Sequence, residues 1–358
     1  MFTHHDLSKE RLRGILGRIC GLQIGVIGDL GLDAFWYADM TRSFMSRETP
    51  RFARPVVREI YSPGAGANVA QNLKALGVGQ VVVFSVLGDD WRGAILRQEM
   101  SRRGIAVEHL IVSEKRNTTA FIRPILMGYK AQQEDARLDF ENAEPLPRVL
   151  EEALMDVLTR CLPSLDGLLI ADQLDVNGII TGRVRERLNS LAADEPQKVF
   201  VADSRQNIEL FRNMVLKPNW VEATQAVHRG HDPRCASREE LFRSGEALSQ
   251  QTSRAVFITL GEEGVLVCDR QDHHHIPAAP VHPPLDPVGA GDTFSATLGV
   301  ALAAGATNLE AGMLANLAAA VTVEKLDQTG TASPQEISER HDLALMGAGE
   351  STPHDDTR

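Results

Sequence analysis

Short apolar runs alternate along the chain with stretches whose apolar residues recur at helical spacing. Residues 22–33 (LQIGVIGDLGLD) open the series: the apolar part ends at Gly28-Asp29 and predicts a buried strand feeding a loop at its carboxyl end. Similar runs follow at Val81–Val86, Leu168–Ala171, Val199–Ala202, Val256–Thr259 and Val265–Val267. Helical patterns lie between most of them, at Ala67–Leu76, Trp91–Arg103 and Leu150–Cys161, and residues 6–20 predict a short amphipathic helix after an acidic start. The alternation predicts an α/β fold, a mostly parallel sheet covered by helices on both faces. Ligands of such sheets bind at the carboxyl ends of the strands. Phe52–Tyr61 and Thr118–Phe140 break the rhythm; they lack helical periodicity and carry β-formers, so they predict strands of a small separate sheet, a lid. No internal repeat is apparent. From about Ser338 the chain turns polar, and its last residues are expected to be disordered.

Composition narrows the function classes. A chain of 358 residues, 43% hydrophobic and 24% charged, is not a disordered one, and it has room for one large α/β domain or two smaller ones. With 37 Lys and Arg against 48 Asp and Glu, the net charge of −11 argues against nucleic acid and anionic membranes as partners, while leaving room for a local basic pocket. Cys20, Cys161, Cys235 and Cys268 are far apart and form no CxxC, so neither a zinc knuckle nor a disulfide scaffold is expected. The N-terminus is too charged for a signal peptide, and the longest nearly apolar stretch, Phe294–Ala306, is too short to span a bilayer. A cytoplasmic location is the expectation.

The most informative segment is Asp286-Pro-Val-Gly-Ala-Gly-Asp292, followed by the Ala/Leu-rich helical stretch Ala296–Ala304. A Gly-Ala-Gly turn at a helix start lets successive N–H groups of Gly289, Ala290 and Gly291 face one anion, and the helix dipole favours negative charge there. Asp292 would lie beside that anion, placed as the base for a hydroxyl attacking phosphorus. The alternative is an acidic residue that merely stabilises a helix start. A second segment, Pro63-Gly64-Ala65-Gly66-Ala67-Asn68, also leads into a helix; its small residues admit a ligand to the backbone, and Asn68 can donate and accept, which suits a polyol. Its alternative is an ordinary loop. No Gly-Lys pair occurs, so there is no Walker A loop, and Gly25-Val-Ile-Gly28-Asp-Leu-Gly31 has the wrong spacing for a dinucleotide fingerprint. His273-His274-His275 and His4-His5 read as solvated loop residues rather than metal ligands.

Together the two glycine segments resemble the signatures of the PfkB (ribokinase-like) carbohydrate kinases, Gly-Gly-x-x-Asn-x-Ala and Asp-Thr-x-Gly-Ala-Gly-Asp. Supporting matches run from about residue 20 to 335: Gly28-Asp29 with Asp33, Gly88-x-Asp90-x-x-Gly93, Asn219-x-x-Glu222, Thr259-x-Gly261-x-x-Gly264 and Asn316. Within that family the chain is most similar to heptose 7-phosphate kinases, on Gly28–Tyr37, Ser46–Pro50, Pro55–Val57, Arg137–Glu141 and Ala315–Leu326. It departs from them at Ala65 and Pro287, and in the stretch Asp172–Gly178, which lacks the lysine of their Asp-Tyr-x-Lys-Gly. The nucleotidyltransferase half of the bifunctional heptose enzymes, with its His-x-Gly-His motif, is absent from the sequence.

The resemblance implies a ribokinase-like three-layer α/β/α domain over residues 1–337, with lid strands inserted near 52–61 and 118–140 and a polar tail at 338–358. It implies ATP-dependent phosphorylation of a sugar or sugar phosphate, a heptose 7-phosphate-like acceptor being favoured. A kinase of free sugars or nucleosides, and a catalytically silent sugar sensor, are the alternatives. By resemblance, Asp33, Gly64, Ala65 and Asn68 hold the sugar hydroxyls, and Gly289, Ala290 and Gly291 form the anion hole. Asp292 takes the acceptor's proton. Asn219 and Glu222 organise Mg2+ and phosphate through water, and Thr259, Gly261, Gly264 and Asn316 line the ATP site. Arg137 and Arg47, with Arg42 and Arg123 nearby, are candidates for binding a distal phosphate. Many kinases of the family also use K+, here expected beside Asp286 and the Val288 carbonyl, facing the turn Asp327–Thr331. A homodimer formed through the lid is a further expectation.

Overall fold

The structure, a computed structural model, describes residues 4–228, 230, 232, 234, 236–270, 272–326 and 329–347. The chain opens with helix α1 (Lys9–Ile19), capped by the Ser8 hydroxyl, then strand β1 (Gln23–Gly28). Strands β2 (Leu30–Asp39) and β3 (Val56–Ala65) lead to α2 (Gly66–Ala75), β4 (Gln80–Phe84), β5 (Val86–Gly88) and α3 (Trp91–Arg102). Next come β6 (Ile111–Ser113), β7 (Thr119–Met127), β8 (Gln132–Glu134) and β9 (Leu138–Phe140). From α4 (Arg148–Cys161) onward, strands and helices alternate: β10 (Gly167–Asp172), α5 (Gly182–Asp194), β11 (Val199–Ser204), β12 (Val215–Leu216), α6 (Trp220–Val227) and α7 (Arg238–Thr252). Then follow β13 (Val256–Thr259), β14 (Val265–Asp269), β15 (Asp272–Ile276), α8 (Ala290–Ala303), α9 (Asn308–Val323) and α10 (Pro334–Gly347).

Eight strands form the central sheet in the order β15-β14-β13-β12-β11-β10-β1-β4. Pairing is parallel from β4 to β13 and antiparallel at β14 and β15. Both faces are apolar, as in sheets buried between helix layers. One core gathers Ile24, Val26 and Leu169 against α1, α2, α8 and α9; the other gathers Ile27, Leu168 and Ile170 against α4, α5 and α7. This is the expected three-layer α/β/α arrangement.

A smaller sheet, in the order β3-β2-β7-β8 with β9 also on β7, stands off the body as the lid. Its central strand is where the structure corrects the sequence reading. The apolar run does not feed a loop after Gly28. Gly28 has φ +140°, and a Cβ there would lie 2.0 Å from the Ala171 carbonyl oxygen. At this glycine the chain leaves the central sheet and continues directly as β2, pairing antiparallel with β3 and parallel with β7. Asp33 is therefore a strand residue, and Pro63–Ala65 end a strand rather than forming a loop.

Three further expectations change. His273–His275 lie in edge strand β15, where His275 Nε2 is 2.8 Å from the Glu263 carbonyl oxygen, and not in a loop. His4 is buried beside the Pro277 carbonyl. Residues 338–347, read as the start of a polar tail, belong to α10; His341 and Ala344 are buried there, and His341 Nε2 sits 2.8 Å from the Leu7 carbonyl. The polar face of this helix masks its packing on the N-terminal segment. Residues 348–358, and Cys235, lie outside the described residues. Cys20, Cys161 and Cys268 are free thiols.

Candidate active site

Helix α8 starts at Gly289, which sits at φ +80° and caps the helix without any side-chain bond. Ala290, Gly291 and Asp292 form its first turn. A Cβ on Gly289 would come within 3.2 Å of both Asn68 and Thr329, so the turn needs glycine for conformation and for space. Asp292 Oδ2 accepts a 2.7 Å hydrogen bond from Asn68 Nδ2. The Asn68 amide is itself oriented: its Oδ1 accepts from Asn72 Nδ2 at 3.3 Å, and Asn72 Oδ1 accepts from Thr293 Oγ1 at 2.8 Å. The Thr322 hydroxyl, 3.0 Å from that of Thr293, ends a buried polar chain that holds α2 on α8 and α9. Burial, with Asp203 and Asp33 nearby, pushes the Asp292 carboxyl up to about 6, against the Asn68 bond and the Lys217 charge. It is thus ionised at neutral pH, yet basic enough to take a proton.

Lys217 and Asp203 are the important residues that the sequence reading missed. Both are buried; Lys217 Nζ pairs with Asp203 Oδ2 at 2.9 Å, and the Ser295 hydroxyl donates to the same oxygen at 2.9 Å. Lys217 Nζ lies 3.8 Å from where a Gly291 Cβ would be, next to the helix start. Burial opposes its charge, but Asp203, Glu222 and Asp292 outweigh that and raise its pKa. The signal in sequence was its place two residues before Asn219, at the end of a strand.

Asn219 and Glu222 close a capping box on α6: Glu222 N–H donates to Asn219 Oδ1 at 2.9 Å, and Asn219 N–H to Glu222 Oε2 at 2.7 Å. Burial, reinforced by Asp203, pushes Glu222 up to about 7, opposed by Lys217, by the Asn219 N–H and by Arg205. The pair therefore has a structural role whatever else it holds. Thr259 lies beside Asn219, its N–H donating to the Pro218 carbonyl at 3.0 Å. Gly261 adopts φ +61°; Gly264, at φ +96°, packs so closely on residues 276–278 that a Cβ would meet the Ile276 oxygen at 2.2 Å. Asn316 Nδ2 donates to the Pro277 carbonyl at 2.6 Å, bracing the same segment.

Opposite this wall stands the lid. Asp33, Phe35 and Tyr37 alternate onto one face of β2, in register with Ser62, Ile60 and Arg58 on β3 and with Phe121, Arg123 and Ile125 on β7. Gly64 keeps that face open: a Cβ there would lie 2.8 Å from the Asp33 carboxyl. Ala65 takes the strained φ of +49°, a conformation that suits the glycine it replaces in the family signature. Burial raises the Asp33 pKa, and Arg123 and Arg137 oppose it. The Arg137 fork is engaged by Asp139 at 2.6 and 2.7 Å, over the Phe121 ring. The Arg123 guanidinium lies 5.5 Å from the Phe35 ring, and that of Arg58, which the sequence reading did not single out, 3.8 Å from Tyr37. Arg42 and Arg47 are exposed in the segment after β2. A cavity of about 670 Å³ reaches from Phe35, Tyr37 and Ile60 to Gln71, Lys325 and Thr329.

Asp286 Oδ1 accepts from the Val288 N–H at 3.0 Å, while the Asp286 N–H donates to Val323. Of the turn expected to face it, Asp327 and Gln328 lie outside the described residues; Thr329 and Gly330 pack against Gly289. Among the described residues no cluster of three His, Cys, Asp or Glu could hold a metal, and no helix is long and apolar enough to cross a membrane. Two other motif residues prove architectural. Asp29 accepts from the N–H groups of Gln173, Leu174 and Ile179, and Asp90 caps α3 and also accepts from the Thr118 N–H at the base of β7.

Residues 49–143 and 187–336 match the pfkB family carbohydrate kinases. The chain is 31% identical over 341 residues to the bifunctional protein HldE of Hyphomonas neptunium, covering 95% of this chain and 67% of that protein. In fold it is similar to Escherichia coli phosphofructokinase-2 in complex with potassium, with a TM-score of 0.69 at 16% identity over 90% of this chain and 99% of that one. It is likewise similar to Arabidopsis thaliana ribokinase complexed with ribose and ATP, with a TM-score of 0.64 at 15% identity over 89% and 98%. With the family matched over more than half of its length and Asp292 set at the glycine-rich start of α8, this chain belongs to the pfkB family and is a carbohydrate kinase.

Proposed function

We propose that the chain transfers the γ-phosphoryl group of ATP to a hydroxyl of a sugar phosphate, a heptose 7-phosphate-like molecule being the favoured acceptor. The observation that carries the chemistry is Asp292, held by Asn68 in the first turn of α8 beside the buried Lys217. Asp292 removes the acceptor's proton as the oxygen attacks. The N–H groups of the Gly289–Gly291 turn and the Lys217 ammonium meet the charge on the transferring group, without reorganising when it develops. Asp33 and Asn68 orient the sugar hydroxyls, and closure of the lid keeps water from the phosphoryl group.

Glu222 and Asn219 offer oxygen donors of the kind that Mg2+ binds through its waters, and bound Mg2+ would neutralise polyphosphate charge. The carboxylate of Asp286 and the carbonyl of Val288 suit K+, which would stiffen the Gly-Ala-Gly turn; potassium in the E. coli phosphofructokinase-2 complex supports that reading. The acceptor assignment draws on the HldE relative and on the lid arginines. Arg58 and Arg123 rest on aromatic rings of the face that bears Asp33, so their forks could hold a distal phosphate. A turnover screen with Mg–ATP, following ADP release over free sugars, nucleosides and sugar phosphates, tests this function. The highest kcat/KM is expected for a sugar phosphate. A free sugar or nucleoside turned over far better overturns the acceptor assignment, and no turnover with any of them favours a sugar-sensing protein.

A further inference from the structure

The strands that end at the candidate active site begin, at the other edge of the sheet, around a second cavity. It holds about 460 Å³ between the amino ends of β11, β12 and β13 and the carboxyl end of β14. Lys198, Arg254 and Arg270 line it, together with Asn213, Asn308 and Asp269. Asp269 is the one carboxylate among the described lining residues, and it already accepts from Asn308 Nδ2 at 2.8 Å. Among the described residues the three cations have carbonyl partners only. Lys198 Nζ donates to Pro163 and Leu165, Arg254 Nη2 to Pro196, and Arg270 Nη2 to Ser253. Each guanidinium carries five N–H donors, so most of them remain available.

This basic basin is built into the fold. The buried Ser249 hydroxyl donates to the Arg254 carbonyl at 2.9 Å and accepts from the Arg270 N–H at 2.9 Å, fixing the backbone of both arginines. Five non-glycine residues among those described have positive φ, and three of them, Asn213, Ser253 and Arg270, line this cavity. Such backbone is disfavoured for residues with a side chain, and it persists where the surroundings hold it in place. In a chain of net charge −11, three cations without a carboxylate partner among the described residues thus converge on one concave site.

We propose that this cavity is a second ligand site, for a small molecule carrying a phosphate or similar multivalent oxyanion, held by Lys198, Arg254 and Arg270. Guanidinium forks bind such groups through paired charge-assisted hydrogen bonds, with the ammonium adding a point charge. A ligand there would tie together the segments that lead into β11, β13 and out of β14, and should therefore stabilise the native state.

The test is calorimetric titration of the full chain with inorganic pyrophosphate in magnesium-free buffer at 150 mM KCl and saturating ADP, with thermal unfolding alongside. The proposal predicts a binding event that ADP does not displace, with a rise in melting temperature. In Arg254→Gln/Arg270→Gln that event should weaken at least tenfold, with the ligand-free melting temperature little changed. Lys198→Gln, which removes the third cation and leaves both arginines in place, gives the same reading if the double variant does not fold. Pyrophosphate binding that ADP abolishes in the unaltered chain, or that persists unweakened in a folded variant, overturns the proposal.

Discussion

On the body side of the cleft, Asn68, Asn72, Thr293 and Thr322 are buried and bonded to one another, and Lys217 and Asp203 form a buried pair. On the lid side, Arg58 and Arg137 are exposed, Arg123 is half-buried, and all three rest on aromatic rings. The first wall is fixed by hydrogen bonds that cannot be exchanged for water. The second can shift, because a ring contact tolerates sliding and an exposed arginine retains water as an alternative partner. Chemistry needs fixed donors at the reacting atoms, whereas acceptor choice tolerates a wall that adapts. Substitutions on the body should therefore act on kcat, and those on the lid on KM for the acceptor.

The largest effect is expected at Asp292. Asp292→Asn keeps the partner of Asn68 and should fold and bind ATP as before, but lose about two or more orders of magnitude in kcat, measured by ADP release. Next is Lys217→Met, which leaves Asp203 buried with only the Ser295 hydroxyl; denaturant unfolding should show a loss of about 3 kcal/mol, accompanied by weaker ATP turnover. The pH profile follows. In the proposed mechanism only the ionised Asp292 carboxylate accepts the proton, so kcat/KM should fall as pH drops through about 6. The Asn68 bond lowers the Asp292 pKa, so Asn68→Ala should move that limb to higher pH; an unmoved limb would point to a different titrating group.

Smaller effects belong to the lid. Arg58→Ala with Arg123→Ala should raise KM for the proposed sugar-phosphate acceptor about tenfold, the scale of one lost charge-assisted bond, with kcat nearly unchanged. Ala65→Gly relieves a backbone held at φ +49° and should raise stability by about 1 kcal/mol, read as a higher denaturant midpoint.

The body was largely legible in the sequence because its signals are local. Apolar runs gave the central strands, and a glycine turn before a helix gave the start of α8. Residues whose importance comes from distant neighbours were not legible. Asp203 and Lys217 are 14 positions apart in sequence and 2.9 Å apart in space, and neither carries a pattern of its own. The lid strand β2 was hidden because one apolar run serves two sheets, divided only by the backbone angle at Gly28. Asn219 and Glu222 show the converse: the spacing that matched a family motif is also that of a helix cap, and sequence cannot separate the two.

Steady-state kinetics of the best acceptor, with kcat and KM determined side by side for Asp292→Asn and for the Arg58→Ala/Arg123→Ala variant, test the division of labour between the two walls most directly. The body variant should lose kcat by about two or more orders of magnitude with acceptor KM little changed, and the lid variant should raise KM with kcat retained. A lid variant that loses kcat while Asp292→Asn keeps it would contradict the account.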